Sequence, residues 1–337
     1  MELCRQWSAL AVKDPRFEMC HASTILPRPD GSVLCAFFSG SREGASDTGI
    51  SLVTLKDGQP GDARVIASGS EAHWNPVLFT YPDGDIGIIY KVGNVIASWR
   101  SYVIRSSDGA RTFSEPKELV AGDKGGRGPV RNQPIVLRYG KPGRYLCPAS
   151  LEDGEWRAFC DISDDGMRSF KKSAEVRLDK KDLLSTREAE HVIPLSAQSF
   201  SGRGVIQPTL FEDSEGVHML LRSSAGFIFR SDSKDYGESW SVPYSTGIPN
   251  NNSGISCAMY KGRLYLACNP VAANFGRRTP ITLFSSSDTR TFYKVEDMDS
   301  EAAEFSYPCV TTFGGALFVS YTYKRKNIRV IKYKQTD

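Results

Sequence analysis

The chain has 337 residues, of which 40% are hydrophobic and 24% charged, and its formal net charge is only +3. These totals are typical of a globular protein with a sizeable core, and so small a net charge argues against nucleic acid as a partner. The sequence contains no apolar stretch of about 18 residues and begins without a signal-peptide core, so we expect a cytoplasmic protein with no membrane span.

Six segments, taken in chain order, repeat one pattern. Each has a polar residue at its start, then an apolar strand, a turn that contains Gly and a second apolar strand. The segments are 21–40, 75–93, 132–150, 206–224, 252–270 and 306–323. Short β-rich runs joined by turns such as PDG or KGR predict hairpins, and their near-continuous apolarity predicts strands that are covered on both faces.

Weaker strand pairs lie between these hairpins and would complete four-stranded sheets. Six such sheets in a ring make an all-β, six-bladed β-propeller, which hides its sheet edges by closing on itself. The last repeat offers only three strands, so we expect the N-terminal segment LCRQWSALAV to supply the fourth. This closure predicts one domain over residues 1–337.

The outer hairpins carry a second repeat related to S-x-D-x-G-x-[ST]-[WF]. The copy at 233–240 fits fully, the copies at 106–113 and 163–170 lack the Gly, and in the copy at 285–292 we expect Ser287 to replace the Asp. Asp and Ser side chains can bind the amides of a turn, so these turns are predicted to be structural.

The starts of the first strands and the ends of the second strands lie on the same side of each hairpin. The predicted channel mouth therefore collects the following residues: His21, Asn75, Gln133, Gln207, Asn252 and Tyr307 at strand starts, and Arg42, Asp47, Lys91, Glu152, Arg222, Asn269, Arg278 and Tyr323 at or after strand ends. Four of these side chains are cations and several are amides. Their convergence favours a ligand that is anionic and rich in hydroxyl groups, such as a carboxylated sugar.

These residues resemble the sialidase superfamily, and most closely its BNR-repeat "predicted neuraminidase" branch. The motifs that carry the resemblance are CHASTI, SREGASD, WNPVLF, YKVG, GVIQPTLF, NNNSG, RRTP and EFSYP, and they cover nearly the whole chain. The resemblance implies a six-bladed propeller that hydrolyses a terminal acidic sugar. It also implies roles for Arg42, Arg222 and Arg278 in binding the carboxylate, for Asp47 as acid/base and for Tyr307 as nucleophile, with Phe305 as the alternative match for the Tyr.

The chain departs from the sialidase pattern at two positions. His21 stands where the family has its first arginine, and Gln207 stands where the family has the Glu that activates the nucleophile. A Gln side chain cannot accept the phenolic proton, so Glu304 becomes the alternative base. His21 can itself act as an acid or base near neutral pH.

Three functions are compatible with these residues. The first is a sialidase-like exo-glycosidase, and the second is a propeller-type lyase or other glycosidase that uses His21 and Tyr307 on uronate- or rhamnose-containing glycans. The third is a carbohydrate-binding propeller without turnover. Asn75, Lys91, Gln133, Asn252, Gln207 and Glu152 are predicted to line the sugar site in each case.

No cofactor and no metal site is predicted, because no His, Cys or acidic cluster has ligand spacing. The eight cysteines include no C-x-x-C pair and several lie in apolar strands, so we expect reduced, buried thiols. The predicted partner is an acidic carbohydrate, and the oligomeric state is left open.

Overall fold

The structure is a computed structural model that describes residues 2–183 and 202–336. Its strands are β1 (Leu3–Leu10), β2 (Met19–Pro27), β3 (Ser32–Gly40), β4 (Gly49–Lys56), β5 (Gln59–Pro60), β6 (Arg64–Ala67), β7 (His73–Thr80), β8 (Ile86–Val92), β9 (Arg100–Ser106), β10 (Lys117–Glu118), β11 (Ile135–Val136), β12 (Tyr145–Leu151), β13 (Arg157–Ser163), β14 (Lys171–Lys172), β15 (Val205–Asp213), β16 (Gly216–Ser223), β17 (Phe227–Ser233), β18 (Tyr244–Pro249), β19 (Ser256–Tyr260), β20 (Arg263–Cys268), β21 (Ile281–Ser286), β22 (Tyr293–Asp299), β23 (Phe305–Phe313), β24 (Ala316–Tyr323) and β25 (Asn327–Gln335). Helical structure in the described residues is limited to one short α-helix, α1 (Lys180–Leu183), and a 3₁₀ turn at Ile96–Ser98.

The strands form six antiparallel sheets, and the predicted six-bladed β-propeller is confirmed. We number the sheets as blades: blade 1 is β2–β6, blade 2 is β7–β10, blade 3 is β11–β14, blade 4 is β15–β18, blade 5 is β19–β22 and blade 6 is β23–β25 with β1. β1 pairs with β25, for example through Cys4 opposite Lys334, so the first strand of the chain completes the last blade. The inner strands of successive blades contact one another, as β2 does with both β7 and β23.

The core lies between the faces of neighbouring blades. Every residue of β3 except the last is buried, as expected for a strand covered on both sides. Between blades 1 and 2, Phe38 packs edge-on against Trp74 with ring centroids 5.8 Å apart, and Leu78 and Ile88 fill the same cluster. Burying one such side chain stabilises the fold by about 1.5–3 kcal/mol, and the repeat of this packing from blade to blade holds the ring together.

The outer turns use an Asp side chain to bind the turn amides, as predicted. Asp108 accepts hydrogen bonds from the Arg111 and Thr112 amides at 2.9 and 3.0 Å. The prediction for the fourth copy was wrong in its alignment: Asp288, not Ser287, accepts from the Thr291 amide at 2.7 Å. In this copy the Asp and the aromatic residue are one position closer together than in the others. The pattern, counted back from the aromatic residue, therefore aligned Ser287 with the Asp of the other copies.

All eight cysteines are free, and all but Cys4 are buried. No helix in residues 2–183 and 202–336 is long and apolar enough to cross a membrane.

Candidate functional site

The inner strands begin with a kink that turns one side chain out of the sheet. The pairing register shifts at the start of β2, β7, β15 and β23. A non-glycine residue with positive φ lies at each of these kinks and at the matching position before β19: Ala22, Asn75, Gln207, Asn252 and Tyr307. Bulges of this kind re-aim a side chain, and positive φ is unfavourable for most residues, so the fold holds these positions in place.

Tyr307 lies at the centre of the cluster, surrounded by positively charged side chains. The guanidinium carbons of Arg131, Arg222 and Arg278 lie 5.4, 5.8 and 5.4 Å from the centroid of its ring. The ring of His21 meets it edge-on with centroids 4.6 Å apart. Tyr307 itself is half-buried, so its ring is accessible from the channel mouth.

The alternative match for the family's Tyr does not share this environment. Phe305 is completely buried and packs in the core with Tyr321 and Leu317. Of the two residues, Tyr307 is therefore the one that the fold presents to the channel.

Arg222 is fixed by the residues at two strand starts. Its Nη1 donates to Gln207 Oε1 at 2.9 Å and its Nε donates to Asn252 Oδ1 at 3.2 Å, while Nη2 donates to the Asn252 carbonyl. Nη1 also lies 3.4 Å from the Tyr307 hydroxyl. Gln207 thus positions a cation beside the phenol, and as an amide it cannot take the phenolic proton.

Arg278 belongs to a chain of ion pairs along the rim of the site. Its Nη1 lies 2.9 Å from Glu304 Oε1, Arg325 Nε lies 2.6 Å from Glu304 Oε2, and Arg325 also pairs with Glu43. Burial alone would raise the pKa of Glu304, but the hydrogen bond from Arg325 and the charges of both arginines lower it below its ordinary value. Ser306 Oγ donates to the same carboxylate at 2.9 Å, so the hydrogen bonds of Glu304 go to these groups and not to Tyr307.

His21 is fully buried between Tyr307 and Phe38. Neither ring nitrogen has a hydrogen-bond partner among the described residues. Burial, and then the charges of Arg325, Arg278 and Arg131, lowers the pKa of His21 well below its ordinary value, so its imidazole is neutral at neutral pH.

Asp47 and Arg42 lie on the loop between β3 and β4, and both are exposed. The Asp47 carboxylate accepts hydrogen bonds from the Ser41 amide at 2.9 Å and the Ser41 hydroxyl at 3.0 Å. The Glu43–Arg325 pair ties this loop to blade 6 next to the Tyr307 cluster. The Arg42 side chain has no hydrogen bond or ion pair within the described part of the chain, so it is free to bind a ligand.

Glu152 follows the end of β12, on the side of Arg222. Burial raises the pKa of Glu152, and the charge of Arg222 only partly offsets this effect. Asn75 is 4% exposed at the kink of β7, and its neighbour Trp74 lies under the β3–β4 loop against Gly44.

Two residues predicted to line the site lie outside the cluster. Lys91 is fully buried, with its Nζ donating to Ser101 Oγ at 2.7 Å and to the Arg127 carbonyl at 2.6 Å. Burial lowers the pKa of Lys91 to about 7. Gln133 donates from Nε2 to the carbonyls of Ile25 and Leu78 at 3.0 and 2.8 Å, so its amide joins blades 1 and 2.

Three residues near the site were not predicted from the sequence: Arg131, Arg325 and Asn251. Asn251 Nδ2 donates to the carbonyls of Gly276 and Arg277 at 3.1 and 2.8 Å and so fixes the loop that carries Arg278. Arg131 directly precedes the Asn-Gln-Pro of the third repeat, and that position was the available signal. Beside this loop a cleft of about 600 Å³ runs from Phe275 to Arg278 and Glu304.

No group of His, Cys, Asp or Glu side chains in residues 2–183 and 202–336 could hold a metal ion. The arrangement offers a polar, positively charged mouth around one phenol, with a carboxylate on the neighbouring loop. Such a site is suited to an anionic, hydrogen-bonding ligand rather than to an apolar one.

The fold defines the molecule as a six-bladed β-propeller with a positively charged mouth, and comparisons with known proteins bear on its family. A family model described as a BNR repeat-like domain matches residues 31–319, so the chain belongs to that family. No curated protein matches the sequence significantly.

Solved structures share the fold at low sequence identity. A Dyadobacter fermentans protein of unknown function superposes with a TM-score of 0.75 at 15% identity, covering 99% of both chains. The Hadza microbial sialidase Hz136 gives a TM-score of 0.72 at 16% identity, over 95% of this chain and 66% of that one. The NanB sialidase of Streptococcus pneumoniae gives 0.70 at 11% identity, over 98% and 70%.

Proposed function

We propose that the protein is an exo-acting glycoside hydrolase of the sialidase type, which removes a terminal acidic sugar from a glycan. The observation that carries this proposal is the half-buried Tyr307 with Arg222 and Arg278 directly beside its ring. Guanidinium groups bind carboxylates in a two-pronged geometry, and few other ligands match several of them around one phenol. The shared fold with sialidases supports the same class.

In this proposal the sugar carboxylate is held by Arg42, Arg222 and Arg278. The sugar ring is surrounded by Asn75, Asn252 and Gln207. Tyr307 loses its phenolic proton to solvent as its oxygen attacks the anomeric carbon, the glycosidic bond breaks, and Asp47 donates a proton to the departing oxygen. The Asp47 carboxylate then takes a proton from water, whose oxygen attacks the same carbon and releases Tyr307, and the Tyr307 oxygen regains a proton from solvent. Two successive substitutions at one carbon retain its configuration.

The test is a screen of the purified protein against fluorogenic sialosides and natural acidic glycans. Tyr307→Phe and Asp47→Asn should each lower turnover of a confirmed substrate, the latter by about 10²–10⁴-fold, as for loss of a general acid. Tyr139→Phe and Asp62→Asn are matched controls on exposed positions and should leave turnover unchanged. Full activity in both site variants would contradict the assigned roles.

A second candidate is a lyase that uses His21 and Tyr307, whose ring centroids lie 4.6 Å apart; it requires that His21, which is fully buried here, become exposed to the substrate. His21 would take the proton beside a uronate carboxylate while the bond to the leaving sugar breaks, and Tyr307 would return a proton to that sugar. The product would be an unsaturated uronate with strong ultraviolet absorbance, which hydrolysis does not produce. Saturable binding of a glycan without either product would instead identify a carbohydrate-binding propeller.

A further inference from the structure

Arg131 lies beneath Tyr307, in the segment that precedes β11. Its side chain is 1% exposed, and its Nη2 donates to the carbonyls of Tyr307 and Pro308 at 2.5 and 3.0 Å. These bonds cross the channel from blade 3 to blade 6. They hold the backbone at Tyr307, whose φ of 52° is unfavourable for an aromatic residue.

The charge of Arg131 is not neutralised by a carboxylate in the described residues. Its Nε and Nη1 have no hydrogen-bond partner there. Burial lowers the pKa of Arg131 to about 10, which still leaves the guanidinium charged at neutral pH. A buried and unpaired charge destabilises a fold, and such costs persist where they serve a function.

Within residues 2–183 and 202–336, the groups that face Tyr307 from the other elements add no negative charge. They are His21 on β2, Arg222 on β16 and Arg278 on the loop before β21. Glu304, on the segment before β23, is already paired with Arg278 and Arg325. The phenol therefore lies in a positive environment, while Gln207 provides no base.

We propose that Arg131 is a positioning residue that fixes the backbone of Tyr307 and stabilises its phenolate, so that the phenol can react without a carboxylate at position 207. The phenolic proton leaves to solvent at the open side of the half-buried ring. This inference rests on the proposed role of Tyr307 as the reacting group and identifies how that group is activated.

The experiment measures nitration of individual tyrosines by tetranitromethane, a reagent that attacks the phenolate. Peptide mass spectrometry compares Tyr307 with Tyr139, which is 59% exposed and lies outside the cluster. In the wild-type protein Tyr307 should be nitrated faster than Tyr139 near neutral pH, although it is the more buried ring. Arg131→Gln should slow Tyr307 relative to Tyr139 by about tenfold, and Arg131→Lys, which keeps a charge, should restore most of the rate.

A purely structural role for Arg131 predicts the opposite sign, because a loosened site exposes Tyr307 and speeds its nitration. Faster or unchanged nitration in Arg131→Gln would overturn the inference. If that variant does not fold, slower nitration of Tyr307 than of Tyr139 in the wild-type protein would do the same. No sugar is used, so a protein that is nitrated as expected but releases no sugar refutes the proposed function and not this inference.

Discussion

Gly254 sets how closely the Tyr307 ring can approach blade 5. A Cβ atom at this position would lie 3.1 Å from Tyr307 Cδ1, 3.2 Å from its Cα and 3.4 Å from its Cγ. The first two distances are shorter than an ordinary carbon–carbon contact, and one of the atoms is backbone. Gly254→Ala must therefore displace Tyr307 or the strand that carries it.

The magnitude follows from two opposed terms. Overpacking costs about 1–3 kcal/mol, while Ala in place of Gly restricts the unfolded chain and returns about 0.4–1 kcal/mol. We expect a net loss of about 1–2 kcal/mol in the free energy of unfolding, measured by urea denaturation. Turnover should fall as well, because the ring moves relative to Arg222 and Arg278.

Gly61→Ala is the matched control, since its Cβ would meet only the Thr54 carbonyl at an ordinary 3.4 Å. This variant should be as stable as the wild type or slightly more stable, with unchanged turnover. If Gly254→Ala behaves like Gly61→Ala in both measurements, Tyr307 is not held against blade 5 and the geometry of the site is wrong.

Three further predictions follow from side chains in and near the site. Gln207→Glu should increase turnover of a confirmed sialoside at least about tenfold by supplying a base beside the Tyr307 hydroxyl; an unchanged rate would refute the reasoning on Gln207. The lowered pKa of Glu304 means that its ionised form stabilises the fold above the ordinary pKa of Glu and that this stabilisation is lost as the pH falls through the lower folded value. In acid denaturation the wild type should therefore lose stability relative to Glu304→Gln below about pH 4.5, and parallel curves would contradict the ion-pair assignment. Lys91 is protonated in the unfolded chain up to its ordinary pKa, but its pKa in the folded protein is about 7. The free energy of unfolding relative to Lys91→Met should therefore rise between about pH 7 and 10, by at most about 1.4 kcal/mol per pH unit. A difference that does not change with pH would show that Lys91 stays charged when buried.

The propeller could be predicted because each blade repeats the same hairpin pattern, so that six weak signals agree. The kinked strand starts were also predictable in position: Asn75, Gln207, Asn252 and Tyr307 carry the positive φ values at the predicted starts. Two repeats differ. In the first, Ala22 and not the predicted His21 has the positive φ. In the third, Gln133 is absent from the positive-φ positions and its side chain turns inward to bind backbone carbonyls. The residue types of the third repeat do not indicate whether the Gln133 side chain points to the channel mouth or to the backbone carbonyls of other blades.

Lys91 shows a second limit of the sequence pattern. It lies one residue before the end of β8, and neighbouring side chains of a strand point to opposite faces. Its amine therefore enters the space between blades 2 and 3 rather than the channel. Arg131 and Arg325 were missed because each has a partner in another blade, Tyr307 and Glu43 respectively, at a sequence separation that local patterns do not report.

The kinked strand starts have a consequence for how such a site can diversify. Each kink fixes the backbone and leaves one side chain to be chosen, and the chain already places Ala, Asn, Gln and Tyr in this same conformation. A substitution at Ala22 or Asn75 changes a single wall of the mouth, whereas one at Gln207 or Asn252 also removes a hydrogen bond to Arg222. Asn tolerates positive φ better than most residues, so changes to Asn should cost the least stability. Under the proposed function, sugar preference can thus be altered one blade at a time on the same scaffold.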